Sequence, residues 1–425
     1  MERKIEGYLV QWKNDNNRKP LIIFGPRQVG KTFSVLNFGK NNYKNVAYFN
    51  TYKNKKLIDV FKKEKIEDKI ILNLSMLSGE TILQDDTLII LDNIDNNDVI
   101  KGLKLLGSEK SKYNIIAITA RRGLLKSIKS EDLQYKSMTE LDFEEYLIAH
   151  NENTLAELIK ESYNKRKTCP FHKVALDMFQ RYLITGGMPE VIDAELKGYT
   201  DYELDAIKQK IIDVYEKEVL YNKNLIDITR SIEVFESIPY QLSKKNKKFQ
   251  YGVIKSGTRK TEYTNSIEYL VENQLVYRSY KVKNIKSPLS SNRLKDSFKL
   301  YCIDDGILST MLHTSYKQLL IDENIKEVLY QNHIAKTLTE IGCSLYYYQS
   351  EGKAEVDFII QDRMGTIIPI EVATKKDSKA KSLSVFMGKF EVPMGLRITE
   401  NNFSTKKDVR LIPIYAIFCL NENRY

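Results

Sequence analysis

Four consecutive apolar residues, Leu21-Ile22-Ile23-Phe24, lead into Gly25-Pro26-Arg27-Gln28-Val29-Gly30-Lys31-Thr32 and then into a mixed stretch, Phe33 to Gly39. A short apolar run stopped by a glycine turn predicts a buried strand, and the stretch beyond it a helix. Two further runs, Thr87-Leu88-Ile89-Ile90-Leu91-Asp92 and Tyr113-Asn114-Ile115-Ile116-Ala117-Ile118-Thr119, predict two more strands. Strands alternating with helices predict an α/β domain over residues 1–140, a parallel sheet with helices on both faces.

The period then changes. Apolar residues recur at three and four in Leu155-Leu158-Ile159 and in Ile207-Ile211-Ile212-Tyr215, so 141–225 reads as a helical connector, broken sharply at Gly186-Gly187-Met188-Pro189. Between Ser231 and Tyr280 three short helical segments run into alternating residues, ending with Tyr263 to Arg278. That order resembles a recognition helix entering the wing of a winged helix, expected over 226–285. Glu355-Val356-Asp357-Phe358-Ile359-Ile360 alternates as a strand, and past the Arg363-Met364-Gly365 turn Thr366 to Ala373 supplies its hairpin partner. The hairpin brings Asp357 and Glu371 close, within a last α/β domain over 286–425.

The loop from Gly25 to Thr32 has the spacing G-x-x-x-x-G-K-[ST], and each fixed position has a task in holding a triphosphate. Gly25 and Gly30 permit the backbone angles that turn successive N–H groups inward, with Pro26, Arg27, Gln28 and Val29 forming the rest of the cradle. The helix that follows offers its positive N-terminus to the same charge. Lys31 is expected to reach the β- and γ-phosphates of ATP, and Thr32 to place its hydroxyl on Mg²⁺. Asp92, at the end of the second strand, is the expected magnesium-side acid. The next residue is Asn93, whose amide can orient an attacking water but cannot accept its proton. Asp95 either substitutes as the base or caps the following turn. Thr119 ends the third strand with a hydroxyl placed to sense the γ-phosphate, and Arg121 and Arg122 follow as candidates to stabilise transferred charge, in cis or at a neighbouring subunit, or as plain surface residues.

Composition changes this picture in one place. The 425 residues are 42% hydrophobic and 29% charged, which points to a folded, soluble chain of two to four domains. No apolar segment approaches membrane-spanning length, and the four cysteines (Cys169, Cys302, Cys343, Cys419) and four histidines show no metal-ligand spacing. A cytoplasmic protein with reduced thiols and no membrane contact is expected. The net charge is +10, and residues 241–300 alone hold 14 lysines and arginines against 4 acids. Lys244, Lys245, Lys247, Lys248, Lys255, Arg259 and Lys260 would suit duplex DNA phosphates, whereas a packing module with a solvated basic face is the alternative.

The order of motifs resembles a prokaryotic family of AAA-type P-loop ATPases with a C-terminal nuclease-like domain. The resemblance rests on Gly25 to Thr32, on Leu141-Asp142-Phe143-Glu144-Glu145-Tyr146-Leu147, on Gly186-Gly187-Met188-Pro189-Glu190, and on Leu300-Tyr301-Cys302-Ile303-Asp304-Asp305-Gly306. It implies ATP and Mg²⁺ as ligands, a helical lid, a winged helix and a restriction-endonuclease-like fold, with a protein partner or homo-oligomer possible. Two departures bear on hydrolysis: Asn93 stands where the family carries Glu, and the sensor strand ends in Thr119-Ala120-Arg121-Arg122 where Gly-Ser is commoner. In the last domain the nuclease pattern Asp…Glu-x-Lys ends in Ala373, with Gln331 where an acid is expected. Lys375 or Lys376 could take the lysine's role, but an inactive nuclease shape is the expectation. The first activity is then slow ATP hydrolysis coupled to a conformational change, against two alternatives: an ATP-gated DNA-binding or DNA-processing protein, and a non-catalytic nucleotide switch or scaffold.

Overall fold

The computed structural model describes residues 1–107, 113–126, 130–219, 225–350, 355–374 and 381–420. Lys375 and Lys376 lie outside the described residues. The chain divides into two compact units, Met1–Glu140 with Glu272–Gln274, and Leu141–Val271 with Leu275–Tyr425. Among the described residues no helix is long and apolar enough to cross a membrane.

In the first unit β1 (Leu21–Phe24), β2 (Asn45–Asn50), β3 (Thr87–Asp92), β4 (Asn114–Thr119) and β5 (Gln134–Ser137) form one sheet of order β2-β3-β4-β1-β5. Every pairing in it is parallel. The helices are α1 (Lys4–Asn14), α2 (Lys31–Asn42), α3 (Lys55–Lys63), α4 (Glu67–Ser78), α5 (Asn97–Gly107) and α6 (Arg122–Lys126). β3 and β4 are buried at every position, the environment that unbroken apolar runs require. One face of the sheet, through Ile22, Ala47, Ile89, Leu91 and Ile115, packs on Leu57, Phe61, Ile70, Leu74 and Leu103 of α3, α4 and α5. On the other face Gly39 of α2 lies so close to Val46 and Leu88 that a Cβ there would press into both side chains. Helices therefore cover both faces, and the parallel register gathers the strand ends at one edge, Phe24 beside Thr119 and Asn50 beside Asp92. β1 lies inside the sheet between β4 and β5, the kind of switch position where open α/β sheets take their ligands.

The second unit opens with five helices, α7 (Phe143–Ala149), α8 (Asn153–Lys165), α9 (His172–Thr185), α10 (Pro189–Leu196) and α11 (Asp201–Val219). Then come α12 (Leu225–Ser243), α13 (Tyr251–Ile254), α14 (Lys260–Glu272) and the antiparallel pair β6 (Val276–Val282) and β7 (Arg293–Cys302). The remainder holds α15 (Asp305–Met311), α16 (Tyr316–Ile321), α17 (Glu323–Glu340), β8 (Leu345–Gln349), β9 (Glu355–Gln361), β10 (Ile367–Ala373), α18 (Lys381–Phe390), β11 (Gly395–Thr399), β12 (Ser404–Lys406) and β13 (Val409–Pro413). A mixed sheet of eight strands runs β12-β13-β11-β10-β9-β8-β6-β7. The β6–β7 hairpin is not a detached wing, because β6 also pairs with β8 in parallel, Ser279 opposite Leu345. One sheet thus takes strands from both sides of residue 285.

The sequence motifs of this unit are joined in its interior. Asp142 and Glu145 form a capping box at the start of α7. Asp304 caps α15 by accepting from the Ile307 N–H at 2.9 Å, and its other oxygen accepts from the Gly187 N–H at 2.7 Å. Gly186 has φ of 82°, and a Cβ there would overlap the Asp304 carboxylate, so only glycine fits. The buried Asp305 carboxylate accepts from Asn332 Nδ2 at 2.9 Å, faces His333 Nδ1 at 2.8 Å and pairs with Lys336 Nζ at 3.3 Å. Lys336 also donates to the Tyr182 hydroxyl at 3.0 Å, which donates to the Leu141 carbonyl at 2.7 Å. These polar residues fasten α7, α9, α15 and α17 to one another inside the core.

Candidate functional site

β1 ends at Phe24 and the chain turns at Gly25, where a Cβ would overlap the Met138 carbonyl oxygen. Gln28 (φ 63°) and Gly30 (φ 91°) carry the loop through left-handed backbone into α2. Gly30 is the N-cap residue, and no side chain caps the helix, so its first turn presents backbone N–H groups to a ligand. Lys31 is buried and folds back onto the loop, donating to the Gly25 carbonyl at 2.8 Å and to the Pro26 carbonyl. Arg3 braces the outside of the loop, donating to the Val29 carbonyl at 2.9 Å and the Thr139 carbonyl at 2.8 Å.

The second side of the site is the end of β3. Thr32 Oγ1 donates to Asp92 Oδ2 at 2.9 Å, so the loop hydroxyl and the strand carboxylate are in direct contact. Tyr48 of β2 donates its hydroxyl to the same oxygen, also at 2.9 Å, and the Asn93 N–H donates to Oδ1 at 2.7 Å. Burial, the hydrogen bond to Asp92 and the carboxylate's charge push the Tyr48 hydroxyl up to about 12, so it stays a neutral donor.

Asn93 has φ of 58°, a left-handed conformation that Asn tolerates better than Glu does. Thr51 holds that turn, with its N–H on the Asp92 carbonyl at 2.9 Å and its hydroxyl on the Asn93 carbonyl at 2.7 Å. Asn93 Nδ2 reaches Asn50 Oδ1 at 3.4 Å. The turn beyond is capped by Asn96, whose side chain accepts from the Asp98 N–H at 2.7 Å; the capping role considered for Asp95 belongs to this neighbour. Thr119 is buried, donates its hydroxyl to the Ile94 carbonyl at 2.7 Å and accepts from the Arg121 N–H at 3.0 Å. Its proton is thus committed to tying β4 to the segment after β3. The Arg122 guanidinium lies 5.6 Å from the centre of the Phe24 ring.

Glycines at close approaches, an uncapped helix start and a lysine at the loop's centre fit a nucleoside triphosphate. Residues 17–147 match a family model described as an AAA domain. This part of the chain belongs to the AAA-type P-loop ATPases.

Beyond the AAA domain, two models described as domains of unknown function match, DUF8612 over residues 176–318 and DUF4143 over 326–417. Among solved structures the chain is 16% identical to a signal transduction ATPase with numerous domains, carrying a tetratricopeptide repeat sensor, from Pyrococcus horikoshii. That likeness covers 80% of this chain and 45% of the other, at a TM-score of 0.31, so the chain spans less than half the length of that protein. It is 13% identical to the Aeropyrum pernix ORC1 protein, solved in complex with DNA, over 75% of this chain and 93% of that one, at a TM-score of 0.28. A search of the curated proteins finds no match. The AAA assignment accounts for the site at the end of β1 and leaves the second unit's chemistry to its own residues.

There the hairpin does bring Asp357 and Glu371 together, one step beyond the Phe358–Ile370 pair. Asp357 accepts from Gln331 Nε2 at 2.9 Å and from the Val372 N–H at 2.8 Å, while Glu371 lies 3.4 Å from Arg397 of β11. Burial pushes Asp357 up to about 6, with Lys299 opposing, and Glu371 up to about 7, with Arg397 opposing. Among the described residues no three His, Cys, Asp or Glu side chains converge to hold a metal. Two of the cations counted in the basic segment point inward as well: Lys247 is buried against Glu327, and Lys299 is buried 3.0 Å from Glu355. Lys247, expected among the phosphate contacts, is therefore buried and already paired with Glu327 of α17.

Proposed function

We propose that the protein binds ATP with Mg²⁺ along Gly25–Thr32, hydrolyses it slowly and couples the cycle to a conformational change. The observation that carries this reading is the 2.9 Å hydrogen bond from Thr32 to Asp92, which sets a hydroxyl and a carboxylate beside the uncapped start of α2. Hard oxygen donors of this kind suit Mg²⁺, which when bound neutralises phosphate charge. Lys31 exchanges its loop carbonyls for β- and γ-phosphate oxygens, and the loop amides from Arg27 to Lys31 donate to the remaining ones. Asn93 orients the water without taking its proton, which keeps turnover low. Thr119 positions the Ile94 segment beside the γ-phosphate, and Arg121 and Arg122 answer its charge in cis or at a neighbouring subunit. Calorimetric titration with Mg²⁺ and ATP tests this: wild type binds, Thr32→Ala loses the magnesium dependence, and equal magnesium-independent affinities for both would overturn the reading.

A second reading, duplex DNA binding gated by ATP in the cytoplasm, is favoured by the exposed Lys245, Lys255, Arg259, Lys283 and Lys286. In it, 141–225 serves as a helical connector, and 226–285, joined through β6 to the sheet of the nuclease-shaped, inactive 286–425, presents a winged-helix-like basic face. Duplex affinity that falls steeply with salt supports it, and a flat salt response removes it.

A further inference from the structure

The second unit contains a cleft of about 320 Å³ between α14 and the β6–β7 hairpin. Its walls combine aromatic rings with cations. Arg278 is held flat by two hydrogen bonds to Glu268, at 2.6 and 3.0 Å, and lies 4.7 Å from the Tyr280 ring centre and 5.8 Å from that of Phe298. Arg293 lies 5.0 Å from the same Tyr280 ring. Tyr251 closes another side, its hydroxyl pushed up by burial and so kept as a neutral donor.

Charge balance singles out two of the cations. Glu268 answers Arg278, and Asp296 answers Lys260. Arg293 and Lys295 are exposed and have no acidic partner among the described residues, so the cleft is net positive. The strand geometry puts them there. Tyr280 pairs with Phe298, yet Lys281 pairs with Leu294, so Lys295, Asp296 and Ser297 bulge out of the ladder. Bulges of this kind re-aim side chains beside sites.

We propose that this cleft binds a nucleotide, its phosphate on Arg293 and Lys295 and its base among Tyr251, Tyr280 and Phe298. A bare anion would gain nothing from the aromatic walls, and an apolar ligand would bury two cations without partners. A ligand joining a planar ring to an anion satisfies both requirements, and stacking on aromatic or guanidinium planes is how unpaired bases are held. The excess of 14 basic over 4 acidic residues in 241–300 favours a nucleic-acid strand or free nucleotide over a phosphorylated side chain. The inference does not rest on the ATPase reading of the first unit.

The test uses full-length Lys31→Ala protein, so that the loop in the first unit does not contribute. Its binding to AMP and to a labelled twelve-nucleotide single strand is compared with that of Arg293→Glu/Lys295→Glu, both surface positions, and of Tyr251→Ala. Retained melting temperature and circular dichroism establish that the variants fold. Binding of either probe that weakens about tenfold or more in the charge-reversal variant and also falls in Tyr251→Ala supports the site. AMP binding alone identifies a free nucleotide as the source, and strand binding competed by AMP identifies an unpaired end. Binding of neither probe, or affinities unmoved by the substitutions, would overturn the proposal. Failure of ATP turnover in the wild type would touch the first unit's reading and leave this one standing.

Discussion

The Tyr48 hydroxyl donates to Asp92 Oδ2 at 2.9 Å, and Thr32 donates to that same oxygen. Asp92 Oδ2 thus accepts from two protein donors, with which a cation bound there would compete. Tyr48→Phe removes one of them without changing ring volume. Magnesium titrations of nucleotide binding should show half-saturation at about two- to fivefold lower Mg²⁺, the size expected of one modest hydrogen bond. A weaker magnesium dependence would mean that Tyr48 orients Asp92 instead of competing for it.

Asn93 sits in left-handed backbone at φ 58°, so Asn93→Glu sets chemistry against conformation. A carboxylate there can accept a proton from water, and phosphate release should rise. Glu tolerates that left-handed backbone less well than Asn, costing about 1 kcal/mol, seen as a lower melting temperature. A variant with unchanged turnover would exclude the missing carboxylate as the reason for slow hydrolysis.

The phosphate-binding loop was legible in the sequence because its chemistry depends on fixed spacing along one strand, loop and helix. Lys31, Thr32 and Asp92 could be named from that spacing. Tyr48, Asn50 and Thr51 could not, since they reach the site only through the parallel pairing of β2 with β3. Arg3 had no signal either, as its partners Val29 and Thr139 are distant in sequence. In the second unit, Gly186-Gly187 and Asp304-Asp305 stood out separately, and only the fold reveals that Asp304 binds the Gly187 N–H and explains why Gly186 is glycine. Lys299 entered only the charge count of 241–300, although its place between the apolar Phe298 and Leu300 is compatible with the buried end of β7 where it lies.

Lys336 and Asp305 are both buried and lie 3.3 Å apart. Lys336→Met leaves the buried Asp305 carboxylate without its counter-charge, a loss of about 3–5 kcal/mol. Thermal melts should place this variant far below wild type, with Asp305→Asn/Lys336→Met recovering much of the difference. Equal melting temperatures for single and double variants would show that the two do not act as a pair.

Asp357 is raised to about 6 by burial, above its ordinary 3.8, so the folded protein holds this proton more tightly than the unfolded chain. Its contribution to stability is full below about pH 4 and is lost as pH rises through 6. Asp357→Asn mimics the protonated form, and Gln331 beside it can reverse its amide to suit. The variant should be more stable than wild type at pH 8 by about 1–3 kcal/mol, with the gap closing by pH 4.5. A pH-independent gap would locate the effect in packing.

The central claim is that Gly25–Thr32 and Asp92 make a working ATP site. Steady-state phosphate release with ATP and Mg²⁺, comparing wild type with Lys31→Ala, tests it most directly. The account predicts slow turnover by wild type that disappears in Lys31→Ala while the fold is retained. Turnover that survives loss of the lysine would contradict it.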